Sequence, residues 1–508
     1  MASLEAVIEI GSTGIRLLVS EITDSADKNI LDRSEVPLPL GNDVFTTGTV
    51  SRDTLLQCIR ILMRFREQLA GWGIRPGQAS VIATSAMREA KNRDPVLDRI
   101  SVKTGFHVRV IDGIENNRLT YLAVADCVKT DSTMRRQNTL ILEVGGGSTE
   151  LMLIEKGKMA GAHSMRLGTV IIEQQMKSML GSFDDARRYI EEFIRNTKSS
   201  LNNELDLKKI KHFIAVGSDA LIAAINAGSP LTATLWEIPR ENFDRFVDEI
   251  QNYTIEECTG RFRIPYSEAQ FLQVSLLVYK LFLRLTDVQR LLVAETSIRE
   301  GLILDKMNHS DAALQQDFYS QIIASAMNLL HKYHGDENHA SYVRRISTKL
   351  FDGLLPELGL SEKVRVLLEV SAILHDIGMF IALENHERHS HYIIQNSEIF
   401  GLSKEDITIV SLITYYHRGS RQPQDDDQFT VLPRQERMTI LKLTAILRLA
   451  DALDRSHEQR ISEFTIRLDQ DKMTIQTKGN HRYLRERLAM AQKSILFESI
   501  FGYKVIIV

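Results

Sequence analysis

At 508 residues the chain is too long for a single core, and its length suggests about three or four domains. Hydrophobic residues make up 44% and charged residues 25%, with only 10 prolines, the make-up of an ordinary globular protein rather than a disordered or fibrous one. The net charge of −4 argues against sequence-specific nucleic acid as a partner, yet it leaves room for a locally positive cleft that takes an anion.

No apolar run approaches the roughly 18 residues of a membrane span, so no membrane partner is expected. The opening MASLEAVIEIGSTGIRLLVS lacks a basic n-region and alternates like strands, which reads as no signal peptide. Cys58, Cys127 and Cys258 stand too far apart for a disulfide framework or a zinc cluster, and a reducing cytoplasm fits them.

In chain order, EAVIEI predicts a strand, GSTG a turn and IRLLVS a second strand. Residues 53–70 have helical periodicity, and SVIATSAM reads as the next strand. VRVIDGI is another strand, followed by a helix through RLTYLAVADCV and a polar linker, KTDSTMRRQN. The opening pattern then returns as NTLILEV, GGGSTE and LMLIEKG. Ile8-Glu9-Ile10-Gly11 and Leu142-Glu143-Val144-Gly145 are both apolar–Glu–apolar–Gly at a strand-to-turn junction. Two such copies, roughly 135 residues apart, predict a duplicated lobe. A helix near 183–201, the strand HFIAVGS and helix-rich sequence to about 305 complete the second copy. From Gln316 to Ser456 the pattern is nearly continuous helix with many histidines. The tail changes again, to a hairpin around Asp469–Lys472, a helix RYLRERLAMAQKSILFESI and a last strand YKVIIV. Boundaries fall near 125, 308 and 460, giving segments 1–125, 126–308, 309–460 and 461–508.

A glycine-rich turn between two strands exposes consecutive backbone N–H groups that converge on an anion, and side chains there would hold a phosphate off. Gly11 and Gly14 in one lobe, with Gly145, Gly146 and Gly147 in the other, are placed to clamp a phosphate chain from both sides. Glu143 and Glu150 flank the second turn, where magnesium would find carboxylates beside phosphate oxygens. Glu143 lies among apolar residues, where an unpaired carboxylate is costly to bury, so surface decoration is a poor account of it.

IEIGSTGIRLL, ATSAMREAKN, VIDGIENNRLTYLAV, LEVGGGSTELMLI and SMRLGTV occur in an order that resembles the exopolyphosphatase/guanosine pentaphosphatase family, within the actin, hexokinase and heat-shock-ATPase superfamily. The resemblance covers residues 5–305, and ETSIREGLILDKM matches a further family segment. It implies an α/β fold of two actin-like (ribonuclease H-like) lobes. It also implies a magnesium-dependent hydrolase that releases orthophosphate from polyphosphate or guanosine pentaphosphate (pppGpp). Ser12, Thr13, Thr84, Ser85 and Arg88 are then substrate contacts, Ser148 lies in a phosphate loop, and Gly217 and Ser218 fall at another. Glu9, Glu143 and Glu150 become the magnesium carboxylates, while Thr149 and Arg118 are structural. The chain departs from the family pattern at Glu9 and Glu143, where Asp is usual. It departs again at Asn116, where the family's GxEEAR-type segment carries the glutamate that orients or deprotonates the attacking water; Glu115 next door is the alternative base.

Residues 316–456 resemble the HD phosphohydrolase domain, all-α, with the small α+β tail after it. His339, His375-Asp376 and Asp451 match its motif and imply a mixed N/O site suited to manganese, iron, nickel or zinc. His386, His389, His391 and His417 resemble the extra histidines of two-metal members, or else form a basic wall facing a polyanion. In long family members this domain is often a degraded HD fold that helps dimerise and guides the polymer, so a homodimer is implied, although the intact motif here departs from that degradation. Three functions follow: the front-cleft phosphoanhydride hydrolase, a nucleotide phosphohydrolase working at the HD site, or a polyphosphate or alarmone sensor whose cleft lacks its base.

Overall fold

The structure is a computed structural model, and it describes residues 3–508 apart from 24–27, 130–135, 179–182, 309–311, 362–363, 419–422, 424–425, 462 and 478–482. Most of the expected linker KTDSTMRRQN and the residues just after 308 lie outside the described residues. The chain forms two compact units, Met1–Phe318 and Tyr319–Val508. Among the described residues no helix is long and apolar enough to cross a membrane.

The first unit is mixed α/β and holds two sheets. Strands β1 (Ser3–Ile10), β2 (Gly14–Ile22), β3 (Lys28–Pro37), β4 (Ser80–Ala83) and β5 (Val108–Val110) line up as β3-β2-β1-β4-β5. Strands β6 (Thr139–Val144), β7 (Thr149–Glu155), β8 (Lys158–Met165), β9 (His212–Val216), β10 (Ser229–Pro230), β11 (Leu235–Pro239) and β12 (Arg290–Ala294) form the order β10-β11-β12-β9-β6-β7-β8. In each sheet an antiparallel meander (β1–β2–β3, β6–β7–β8) continues into parallel strands (β4 and β5, β9 and β12) on the other side of its first strand. The sequence echo is thus a repeated topology.

Both faces of the first sheet are covered, which explains its long apolar runs. Ile8, Ile10, Leu17 and Val81 pack with Leu62 and Phe65 of the helix Arg52–Gly71. Val7, Leu18 and Ile82 pack on the other face with Leu119, Ile298 and Leu302. Each fully buried Leu or Phe here stabilises by about 1.5–3 kcal/mol. The helix Ile298–Asn308 therefore returns the chain to the first sheet.

Local differences from the sequence expectations bear on the site. The strand expected over SVIATSAM ends at Ala83, because Thr84 N–H closes the pairing on Ile10 O and Thr84 O then accepts from Arg88 N–H, opening the short helix Ser85–Glu89. VRVIDGI is a strand only over Val108–Val110, since the Asp112 carboxylate accepts from Glu115 N–H at 2.8 Å and caps a helix that starts at Gly113. The stretch expected as helix-rich to 305 also contains β10, β11 and β12.

In the second unit, helices Glu337–Leu358, Arg365–Leu374, His386–Gln395, Lys404–Tyr416 and Arg434–Ala452 bury a shared core that includes Leu350, Leu368, Val410, Ile413 and Ile446. The tail follows as β13 (Phe464–Leu468), β14 (Lys472–Thr477) and β15 (Lys504–Ile507), with β14 central. The single helix expected in the tail is two, Leu484–Lys493 and Ile495–Phe501, parted at Ser494.

Candidate active site and histidine cluster

The β1–β2 and β6–β7 hairpins carry matching four-residue loops. Gly11 N–H donates to Gly14 O at 2.9 Å, and Gly145 N–H donates to Ser148 O at 2.9 Å. The acid before each loop is set by register: Glu9 faces Arg16 across β1–β2, and Glu143 faces Glu150 across β6–β7. The loops approach closely. A Cβ on Gly146 would lie 2.9 Å from Ser12 Cβ, and one on Gly147 would lie 2.4 Å from Phe45 Cζ and 2.5 Å from Ser85 Oγ. Gly147→Ala is accordingly expected to destabilise the first unit by about 1–3 kcal/mol in urea titration, the usual cost of overpacking; unchanged stability would show that Phe45 and Ser85 yield freely.

A cavity of about 380 Å³ opens at these loops. Gly11, Ser12, Thr13, Gly145, Gly146 and Ser148 line it, as do Thr84, Ser85, Arg88, Asn116, Gly217 and Ser218. Gly14 and Gly147 are not in its lining; their contacts are with Val36 and with Phe45 and Ser85. Gly217, at φ 130°, turns the chain from β9 into the helix Ser218–Ala227, whose N-terminus meets the cavity. Arg88 is steadied by donating to Ile111 O at 2.9 Å.

The carboxylates differ in availability. Glu143 Oε2 accepts from Thr120 Oγ1 at 2.7 Å, and burial, set against that bond, pushes its carboxyl up to about 7. Glu150 Oε1 accepts from Ser148 Oγ at 2.8 Å and Ser164 Oγ at 2.9 Å, while its buried Oε2 has no hydrogen-bond partner. Burial pushes Glu150 up to about 8, against those two bonds. Glu9 is placed differently: its Oε1 faces Arg16 Nη1 and its Oε2 faces Arg299 Nε, each at 3.4 Å, so two guanidiniums already balance it. Glu115 does not line the cavity. Arg109 and Arg118 hold both of its oxygens, and Arg118 reaches on to Asp305 at 2.6 Å, so Glu115 sits in an ion-pair network outside the cavity lining. Asn116, one helical position on, does line the cavity and hydrogen-bonds to Glu143.

Sequence reasoning passed over Arg16, Arg33 and Arg299, and the acids Glu35, Asp219 and Glu268, all in the cavity wall. Arg16 and Arg299 lie inside the segments IRLL and ETSIRE, and only the fold reveals their meeting at Glu9. Burial, with Glu35 and Asp219 nearby, lifts Glu268 to about 7.

The second unit gathers its own cluster. Asp336 caps the helix that starts beside it and so places His339 in the first turn, its carboxylate accepting from His339 N–H at 3.0 Å. His375 closes the helix Arg365–Leu374, Asp376 follows it, and Asp451 comes from the helix Arg434–Ala452. Asp376 Oδ2 lies 3.4 Å from His375 Nε2 and 3.8 Å from His339 Nε2, and Asp451 Oδ1 lies 3.9 Å from the same His339 nitrogen. Of the four further histidines, His386 and His417 join at Asp376 Oδ1, at 3.0 and 3.4 Å. His391 instead packs its ring on Tyr415, and His389 is half-buried away from this group. Asp454, which accepts from His339 Nδ1 at 2.8 Å, and Lys493, paired with Asp451, are members that sequence spacing did not pick out. Burial lowers His375 to about 4, keeping it neutral and able to ligate.

Comparison with known proteins matches residues 18–310 to the Ppx/GppA phosphatase family and residues 323–494 to Ppx/GppA phosphatase, domain III. Two curated relatives are named guanosine-5'-triphosphate,3'-diphosphate pyrophosphatase. The one from Aeromonas hydrophila is 22% identical over 93% of this chain and 92% of its own length, and the one from Vibrio atlanticus is 24% identical over 93% and 91%. Among solved structures, an exopolyphosphatase from Cytophaga hutchinsonii covers 60% of this chain and 98% of its own at 19% identity and TM-score 0.54. The Aquifex aeolicus Ppx/GppA family member covers 61% and 99% at 21% identity and TM-score 0.50; both likenesses speak to the fold alone. With the family match spanning more than half of the residues, this chain belongs to the Ppx/GppA phosphatase family.

Proposed function

We propose that the first unit hydrolyses phosphoanhydride bonds with magnesium, releasing orthophosphate from inorganic polyphosphate or from pppGpp. The observation that carries this is Glu150 Oε2, a buried carboxylate oxygen without a partner, beside Glu143 and the two glycine-rich loops. A hard cation with a taste for carboxylate oxygens fits that donor set. Glu143 and Glu150 would hold the magnesium, and Glu9, already balanced by Arg16 and Arg299, would not. When bound, the ion would offset charge on the phosphate oxygens. Loop N–H groups of both hairpins and the N-terminus of the helix Ser218–Ala227 bind the anion, and Arg88 offers a forked contact to it. The names of the relatives support both substrates.

Phosphate release from polyphosphate, pppGpp and ATP, with and without magnesium, tests the reading. Binding without release would favour the sensor, which Asn116 suggests. Arg88→Ala is expected to weaken substrate affinity by about 1.5–3 kcal/mol in calorimetry, the worth of a charge-assisted hydrogen bond. Unchanged affinity would take Arg88 out of the contact.

A second reading rests on the His339, His375, Asp376 and Asp451 cluster, whose imidazole nitrogens suit manganese, iron, nickel or zinc. It places a transition metal in the second unit, as an HD-type domain would. A homodimer in a reducing cytoplasm accompanies the family resemblance, and sedimentation velocity tests the dimer.

A further inference from the structure

The helix Tyr266–Leu283 serves the cleft at two places. Its first turns bring Ser267, Glu268 and Phe271 to the cavity wall, while its later turns pack into the core of the second sheet. Tyr279 lies in that buried stretch, only 1% exposed, and its hydroxyl reaches the backbone beside the cavity. It donates to Val216 O at 2.5 Å and accepts from Val144 N–H at 3.0 Å. Both roles are fixed, since a backbone amide only donates and a carbonyl only accepts. Burial holds the phenol well above its usual range, so the donated proton stays in place.

Those two backbone groups sit where their strands diverge. β6 and β9 run parallel, and Glu143 opposite Val216 is the last pair of their register. Beyond it the chain leaves in two directions: Gly145 begins the hairpin loop after β6, and Gly217 leads into the helix Ser218–Ala227 after β9. Gly145 and Gly217 both line the cavity. Val144 is the single residue between Glu143 and Gly145, and Val216 directly precedes Gly217. One hydroxyl therefore ties together the points from which both loops depart. Gly217 admits it closely: a Cβ there would lie 3.3 Å from the Tyr279 hydroxyl oxygen, and its φ of 130° favours glycine. A buried tyrosine needs some partner for its hydroxyl, and one carbonyl would satisfy that need. Bonding to both strand ends does more, because neither loop can then shift without the other.

We propose that Tyr279 is a positioning residue for phosphoanhydride hydrolysis: its hydroxyl clasps the ends of β6 and β9 and so fixes Glu143 and the Gly145 loop against the Gly217 loop. This rests on the reading of the first-unit cleft as the place of phosphate release. Tyr279 lies outside the cavity lining and acts through Val144 and Val216. Supporting groups of this kind hold reacting groups in place before the reaction begins.

The test is Tyr279→Phe in the full-length protein, which removes one oxygen and keeps the ring in the core. For polyphosphate and pppGpp in saturating magnesium, kcat is expected to fall by about 10–100-fold and KM to change by less than about threefold, because misplacing a catalytic group by about 1 Å costs on that order. Hydrogen exchange read by mass spectrometry should quicken over residues 139–148 and 212–221 and stay as in wild type over β1 and β2. Val247→Ala is the control for stability alone. It thins the same core from the helix Arg240–Ile250, and it should lower the urea midpoint while leaving kcat and loop exchange unchanged. A Tyr279→Phe variant that loses stability but keeps wild-type kcat and loop exchange would overturn the proposal. So would a kcat loss that Val247→Ala reproduces. Should Tyr279→Phe fail to fold, wild-type exchange at single amides decides: protection of Val144 matching that of Leu142 upholds the clasp, and exchange as fast as that of Gly146 overturns it. Wild-type protein that releases no phosphate from either substrate would sink the first-unit reading, and the loop exchange of Tyr279→Phe would then decide the clasp alone.

Discussion

Glu150→Gln is expected to lower magnesium-dependent phosphate release by about 10²–10³, because a well-placed ion stabilises transition-state charge by several kcal/mol and each 1.36 kcal/mol is tenfold. The amide keeps the size of the side chain and can still accept from Ser148 and Ser164, so the fold should hold while the charge that recruits the ion is lost. A pH signature accompanies the loss. Glu143 is raised from 4.5 to about 7 and Glu150 from 4.5 to about 8, mainly by burial, so the metal-free native state holds these protons more tightly than the unfolded chain. Their contribution to stability is therefore fully present below about pH 4.5 and is lost as pH rises through about 7 and 8. Magnesium works in the opposite sense, since it needs the ionised carboxylates and displaces their protons. Apparent magnesium affinity should rise between pH 6 and 8, by up to about tenfold per unit for each proton released. The melting temperature of the metal-free protein should fall over the same interval. Glu150→Gln should flatten both trends. Wild-type activity and melting that ignore magnesium across this range would remove Glu150 from the metal site.

The duplicated hairpins were legible because a penultimate acid, an apolar residue and a glycine-rich turn recur in both lobes, and a strand pair with a four-residue loop is a local structure. Glu143 could be singled out because its neighbours are apolar. The fate of Glu9 and Glu115 was not legible. Their carboxylates are decided by Arg299, Arg109 and Arg118, and by Asp305, which are brought together only by tertiary packing. Strands β11 and β12 were lost for a related reason, since β12 pairs with β11 and β9, which lie far back along the chain. In the second unit the order of the histidines announced a cluster, but not its membership. His375 and His417 cap the ends of their helices and His386 opens its own, whereas His389 and His391 lie inside one. Helix ends depend on caps and on contacts such as the close approach of Gly378 to His386 O, which spacing alone does not reveal.

Asn116→Glu is expected to raise turnover by about 10², within the 10²–10⁴ that a positioned general base usually contributes. Asn116 lines the cavity from the first turns of the helix Gly113–Cys127, and its amide bonds to Glu143. Asparagine there can hold Glu143 in place but cannot take a proton from water. A carboxylate at this position would face Glu143 across the same gap, and two acids in one buried site do not both ionise readily. The gain should therefore appear with magnesium present, which offsets one of the charges, and toward alkaline pH. KM should change little, because position 116 acts on water rather than on the phosphate chain. Asn116→Asp, one methylene shorter, should gain less, and Asn116→Ala should gain nothing. Glu115→Gln is the control: tied to Arg109 and Arg118 and absent from the cavity lining, it should leave turnover unchanged. If Asn116→Glu folds normally and turns over no faster at any pH, water activation does not pass through this helix. If Glu115→Gln abolishes release instead, the ion pairs around Glu115 open during turnover and the base is Glu115 after all.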